Sequence, residues 1–300
     1  MSPGAPFSPT KDLGTSASER RIHVEDVDLH VVEAGPEDGA LVLLLHGFPE
    51  FWWGWRRQIP ALAASGFRVV AVDQRGYNTS DKPAGLRAYH LDRLAADVVG
   101  LVRAYGRRRA HVLGHDWGGL VAWWTASRHP ESVDRLAILN APHPAVVEPY
   151  LRSHLSQIVK SHYIAFFQIP RLPETLLARH DFAALRRALV GSSRPGTFSG
   201  ADLDRYATAW REPGALTAMV NWYRALRFRP TLPDPRVVAP TLVIWGVRDR
   251  FVDFELAERS LALCGSGRLV PFEDATHWVH LEEAERVAGE LVGFLKASSP

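Results

Sequence analysis

Cysteine is almost missing from this 300-residue chain: Cys264 stands alone. A single thiol excludes an intrachain disulfide and a thiolate-held metal cluster. An excess of one charge is missing too. The 35 Lys and Arg against 33 Asp and Glu leave a formal charge of +2, and the basic residues are dispersed, which argues against nucleic acid as a partner. The one basic triplet, Arg107-Arg108-Arg109, reads as a solvated helix-to-strand turn. No apolar run approaches the ~20 residues that cross a bilayer. The N-terminal stretch is rich in Pro, Ser, Gly and Thr and lacks the apolar centre of a signal peptide. Residues 1–20 are therefore expected to be a flexible lead-in, and the protein is expected to be cytoplasmic with no membrane span.

What the chain does have is alternation. Two β-type runs, Arg21 to Glu25 and Leu29 to Glu33, open it as an antiparallel hairpin. Apolar strand candidates follow at Leu41 to Leu45, Arg68 to Val72, Ala110 to Leu113, Leu136 to Leu139, Thr241 to Trp245 and Arg268 to Val270. Helical patterns lie between them, notably Leu91 to Tyr105, Leu120 to Arg128, Phe254 to Leu263 and Glu282 to Leu295. An α/β fold is expected, with a mostly parallel eight-stranded sheet and helices on both faces. From about Pro142 to Arg236 the alternation gives way to helical, aromatic, Pro-punctuated sequence too long for a loop. The expected organisation is a core over 21–141, an inserted helical cap over 142–236 and the rest of the core over 237–300.

The chemistry centres on Gly114-His115-Asp116-Trp117-Gly118-Gly119, between a strand candidate and a helical pattern. Gly114 and Gly118, two positions either side of Asp116, are what a sharp strand-to-helix elbow needs to hold a nucleophile out over the sheet. A capping Asp in an ordinary turn is the plainer alternative, and the partners decide between them. A carboxylate needs no base to attack. It suits an electrophilic alkyl carbon, where it leaves an ester; attack on an acyl carbon would leave a reactive anhydride. A histidine is then free to activate water for the second step.

The partners are present. After the third strand candidate comes His46-Gly47-Phe48-Pro49-Glu50, an oxyanion-loop position from which the Phe48 amide, with that of Trp117, can converge on the Asp116 carbonyl. His46 itself reads as structural. Gly246-Val247-Arg248-Asp249-Arg250 follows the seventh candidate, and Asp274-Ala275-Thr276-His277-Trp278 the eighth. The order Asp116, Asp249, His277 is nucleophile, acid, base, each after a separate strand. Of the competing acids, Asp253 reads as a helix N-cap and Asp274 as a loop-shaping residue. Asn140, after the sixth strand, lacks the charge to serve as the acid. Most of Trp52, Trp53, Trp55, Trp123 and Trp124 read as core, and Trp117 as a pocket wall.

These four segments together resemble the epoxide hydrolases of the α/β-hydrolase superfamily, from about Arg21 to the C-terminus. The resemblance implies two cap tyrosines that hold and protonate the departing epoxide oxygen. Tyr223, in Asn221-Trp222-Tyr223-Arg224, and Tyr163, in Ser161-His162-Tyr163-Ile164-Ala165-Phe166-Phe167-Gln168, match those segments; His162 is adjacent and an alternative to Tyr163. With Phe48 and Trp117 they would line the site of a small apolar epoxide. No cofactor and no metal is implied, and assembly as a homo-oligomer is left open. A haloalkane dehalogenase with the same triad, using Asn140 as a halide donor, is the main rival. Fluoroacetate dehalogenases resemble the core but carry arginine where this chain has Trp117. A ligand-sensing homologue without turnover is the non-enzyme reading.

Overall fold

The computed structural model describes residues 9–228 and 231–297. Strands β1 (Ala17–Val24) and β2 (Val27–Ala34) form the antiparallel hairpin. They are longer than the apolar runs suggest, and β1 opens at Ala17. A short helix, α1 (Pro9–Leu13), precedes it. Leu13 is buried in the main core, and Asp12 accepts two hydrogen bonds from Arg205 at 2.7 and 2.8 Å. From residue 9 the expected flexible lead-in is therefore docked chain. One apolar anchor and one bidentate ion pair outweigh its polar composition. Residues 1–8 of that segment lie outside the described residues.

The remaining strands are β3 (Leu41–Leu45), β4 (Arg68–Val72), β5 (Ala110–His115), β6 (Val133–Leu139), β7 (Thr241–Gly246) and β8 (Gly267–Phe272). They form one sheet in the order β1-β2-β4-β3-β5-β6-β7-β8, with β1 and β2 antiparallel to their neighbours and the rest parallel. β3, β5 and β7 are buried along their whole length, which is why they read as unbroken apolar runs. Of the core helices, α2 (Ile59–Ala64) packs with the C-terminal helix, while α3 (Leu91–Ala104) and α4 (Trp117–Arg128) pack together, so each face of the sheet carries a helical layer.

Between β6 and β7 the chain runs through α5 (Pro144–Leu151), α6 (Leu155–Lys160), α7 (His162–Phe167), α8 (Leu172–Ser192), α9 (Gly200–Arg211) and α10 (Ala215–Ala225). α8 is interrupted at His180, Asp181 and Phe182, whose φ of 51, 53 and 58° is left-handed. The Asp181 carboxylate is held there by Arg186 and Arg211, and the Phe182 ring packs on Trp210. After β7 come α11 (Glu255–Leu261), α12 (Val279–Glu282) and α13 (Ala284–Lys296). Among the described residues no helix is long and apolar enough to cross a membrane.

Parallel register brings Leu45 opposite Gly114, His115 opposite Leu139, Leu139 opposite Ile244 and Gly246 opposite Phe272. The loops after β3, β5, β6, β7 and β8 thus leave one edge of the sheet side by side, where open α/β sheets place their sites. The β5–α4 turn leaves no room for a side chain at either of its flanking glycines. A Cβ on Gly114 would stand 2.3 Å from the Gly118 carbonyl oxygen, and one on Gly118 would stand 2.1 Å from that of Leu45. Backbone meets backbone here, so no rotamer change can make room. Gly118→Ala is expected to cost about 3 kcal/mol, whereas Gly289→Ala on α13, with nothing within 4 Å of the added carbon, should gain up to about 1 kcal/mol. Denaturant unfolding of both variants checks the contrast.

Candidate active site

Asp116 occupies the elbow between β5 and α4 with φ 50° and ψ −119°, away from every well that L-residues favour. The turn aims its carboxylate across the end of β3. There Oδ1 accepts the Phe48 N–H at 2.7 Å, and Oδ2 lies 3.5 Å from His277 Nε2. The other ring nitrogen, Nδ1, is 2.7 Å from Asp249 Oδ2. Three loops after three strands thus converge on one line of polar atoms. Trp117, the first residue of α4, carries one of the N–H groups that a helix start leaves without an intrahelical acceptor.

Asp249 is buried but well supplied with donors. Its Oδ1 accepts the amides of Phe251 and Val252 at 2.7 and 3.1 Å, and Oδ2 accepts Asn140 Nδ2 at 2.8 Å besides the imidazole. Burial pushes its carboxyl upward; the charge of His277 and these hydrogen bonds outweigh that and hold it below the usual range. His277 faces the converse pull. Burial disfavours its charged form, yet the Asp249 and Asp116 carboxylates at either end of the ring raise it to about 10. Both ring nitrogens face acceptors, which an imidazolium satisfies.

Asn140 stands where the acid of a variant triad would stand. Its Nδ2 donates to Asp249 and to Gly246 O, while its Oδ1 accepts Gly246 N–H. Both N–H groups of the amide are thus occupied, one by Asp249 and one by the Gly246 carbonyl, which leaves neither to hold a halide. Asp253 does not cap a helix, contrary to expectation: α11 starts at Glu255, and the Asp253 carboxylate binds Lys160 at 2.6 Å and Ser156 at 3.1 Å on α6. Asp274 pairs with Arg248 at the surface. His46 is structural, with Nε2 accepting the Gln74 N–H.

Above the carboxylate lies an aromatic ceiling. Tyr223 on α10 packs edge-on against Trp117 at 4.9 Å, Phe48 at 5.1 Å, Phe167 at 4.9 Å and Tyr163 at 5.8 Å between centroids. Tyr163, on α7, also meets Phe251, whose ring lies 5.1 Å from that of His277. Burial, reinforced for Tyr163 by the Asp116 charge and for Tyr223 by Tyr163 and Asp116, holds both phenols above their ordinary range, so both remain O–H donors. His162 is exposed and its Nδ1 turns to the Val159 carbonyl, away from this group. Trp52, Trp55, Trp123 and Trp124 are core packing.

A second buried layer beside Asp116, His277 and Asp249 was not anticipated from the sequence. His115 Nδ1 lies 2.7 Å from Glu50 Oε2, and its Nε2 lies 2.9 Å from the carbonyl of His277. Glu50 also accepts the Tyr206 hydroxyl at 3.2 Å. Burial opposes ionisation of Glu50, but His115 and His280 carry its carboxyl well below the usual carboxylate range. Glu50, His115 and His280 are the one grouping of metal-ligand types among the described residues. The Glu50–His115 pair is already closed on itself and on the His277 backbone. The signal was in the sequence: Glu50 ends the His46–Glu50 segment, and His115 directly precedes Asp116.

Such an elbow, with an acid and a histidine on later strand ends, defines an α/β hydrolase. The family model for the alpha/beta hydrolase fold matches residues 40–284, and the chain belongs to that family. The AB hydrolase superfamily protein YfhM of Bacillus subtilis is 45% identical over 276 residues, covering 92% of this chain and 96% of that protein. Epoxide hydrolase 4 of Mus musculus is 38% identical over 282 residues, covering 92% of this chain and 78% of that protein. Among solved structures, an inhibitor complex of Bacillus megaterium epoxide hydrolase aligns with a TM-score of 0.85 at 30% identity, over 93% of this chain and all of that one. Within the α/β hydrolases, the chain is a member of the epoxide hydrolase group.

The charge arrangement predicts a pH response. The ordinary value for His277 is 6.5 and the folded value is about 10, so the proton is held more tightly in the folded state. The stabilisation is fully present below about pH 6.5 and is lost as pH rises through about 10. Thermal unfolding of the parent should therefore shift to lower temperature between about pH 7 and 10, and His277→Gln should flatten much of that decline. Parallel slopes in the two proteins would assign the effect to other groups.

Proposed function

We propose that the protein hydrolyses an epoxide to a vicinal diol through a covalent ester on Asp116. The observation that carries this reading is the pairing of an N–H-held carboxylate with two protonated phenols in the aromatic ceiling above it. A carboxylate alone opens no preference among alkyl leaving groups. Two O–H donors in the aromatic cluster around it favour a leaving oxygen that must gain a proton. The halide-releasing alternative needs N–H donors around a stable anion, and Asn140 is committed elsewhere.

Helices α5 to α10 act as the lid that carries the tyrosines. In the resting site Asp116 is a carboxylate and His277 an imidazolium. Asp116 Oδ2 attacks an epoxide carbon, the C–O bond breaks, and the departing oxygen takes a proton from the tyrosine pair. Esterification abolishes the Asp116 charge, and with it part of what held the proton on His277. That proton restores the phenol, leaving a neutral imidazole oriented by Asp249. His277 then takes a proton from water, whose oxygen adds to the ester carbon while the Phe48 and Trp117 amides hold the oxyanion. Collapse releases the diol and regenerates the carboxylate and the imidazolium, so one water is consumed and every proton returns. The aromatic lining favours an apolar epoxide.

A single turnover in 18O water tests the covalent route. The first diol should contain oxygen from Asp116 and no label from bulk water; label in that first diol would sink the ester scheme. Independently, His277→Gln is expected to form one equivalent of ester per site and then stall, falling roughly 1000-fold or more in steady-state rate. Intact-protein mass measurement after mixing with epoxide reads the adduct.

A further inference from the structure

Tyr163 and Tyr223 belong to different helices, and the residue after Tyr223 ties those helices together. Arg224 is 7% exposed, and each of its five N–H groups finds an acceptor. Nε donates to Phe167 O at 2.9 Å; one terminal nitrogen donates to Glu174 Oε1 at 2.6 Å and Asn221 Oδ1 at 3.2 Å; the other donates to Ile169 O at 2.7 Å and Glu174 Oε2 at 3.0 Å. Phe167 ends α7 and Ile169 follows it, so these carbonyls are ones a helix C-terminus leaves unsatisfied. Glu174 lies in the first turn of α8, and Asn221 lies on α10 itself. One planar fork therefore joins three helices, and the bracketed Phe167 lies four positions after Tyr163 on α7. Gln168 adds a lesser tie, donating to Tyr223 O at 3.1 Å.

We propose that Arg224 is a positioning residue that sets the spacing of the two tyrosine hydroxyls, and thereby governs ring opening but not ester hydrolysis. This rests on the reading of Tyr163 and Tyr223 as the pair that supports the departing oxygen. The groups assigned to hydrolysis, Asp249, His277 and the Phe48 and Trp117 amides, sit on loops of the sheet or at the start of α4 and take no bond from Arg224. A shift of about 1 Å in a positioned group costs up to roughly 100-fold in the step it serves. Lysine has three donors on one atom and cannot span the same acceptors.

Rapid-quench single-turnover measurements on the full-length protein, with an aryl epoxide and detection of the protein-bound ester by mass, separate the two steps. Arg224→Gln should slow ester formation by roughly 10- to 100-fold, Glu174→Gln by less, and Arg224→Lys should recover only part of the loss, with ester breakdown within about twofold of the parent in all three. Ester formation at the parental rate, or equal slowing of both steps, overturns the proposal. Should Arg224→Gln fail to fold, Glu174→Gln decides, since it keeps the guanidinium and removes one charged partner. Tyr163→Phe and Tyr223→Phe run alongside. If neither slows ester formation, the reading of the tyrosines fails and the bracket with it; if they do and the Arg224 and Glu174 variants do not, the bracket alone fails.

Discussion

The backbone of Asp116 is the constraint on which the site depends. A residue at φ 50° and ψ −119° carries about 1–3 kcal/mol of local strain, and it keeps that conformation only because its surroundings allow no other. β5 and α4 fix the two ends of the turn, and glycines at 114 and 118 let the backbones of β3, β5 and α4 close to contact. The outcome is a side chain that cannot fold back to cap its own helix. Held outward, it meets the Phe48 amide on one oxygen and approaches His277 with the other.

Around that point the charges are layered. Asp249, His277 and Asp116 form one alternating row; Glu50 and His115 form a second beneath it. The rows are joined where His115 Nε2 meets the His277 carbonyl. Buried ions are costly unless each is paired and hydrogen-bonded. Here each carboxylate has a cationic or N–H partner and each of these two imidazoles lies between acceptors, so the lower row braces the backbone of the residue that the upper row orients.

Much of this was legible in the sequence, for physical reasons. Parallel strands buried on both faces read as continuous apolar runs, so β3 to β7 could be found, and a triad must follow strand ends in order, so Asp116, Asp249 and His277 stood out. What stayed hidden was pairing between distant residues. Composition marked residues 9–20 as loose because the bond from Asp12 to Arg205 spans 193 positions. Asp253 looked like a cap because local spacing cannot reveal that Lys160 lies beside it. Asn140 was weighed as a halide donor, and its engagement with Gly246 and Asp249 is visible only once β6 and β7 are side by side. The left-handed break in α8 has no Gly to announce it.

The single amide bond from Phe48 also makes the two oxygens of Asp116 chemically unlike. Oδ1 is tethered at 2.7 Å while Oδ2 faces the imidazole and the aromatic ceiling. If Asp116 attacks as proposed, the tethered atom stays behind as the ester carbonyl in every cycle, and only the free one departs with product. The carboxylate would then carry a permanent atom and a replaceable one, renewed each time from water. Symmetry lost to one hydrogen bond would thereby show in isotopes: after any number of turnovers in labelled water, Asp116 would hold one labelled oxygen and never two.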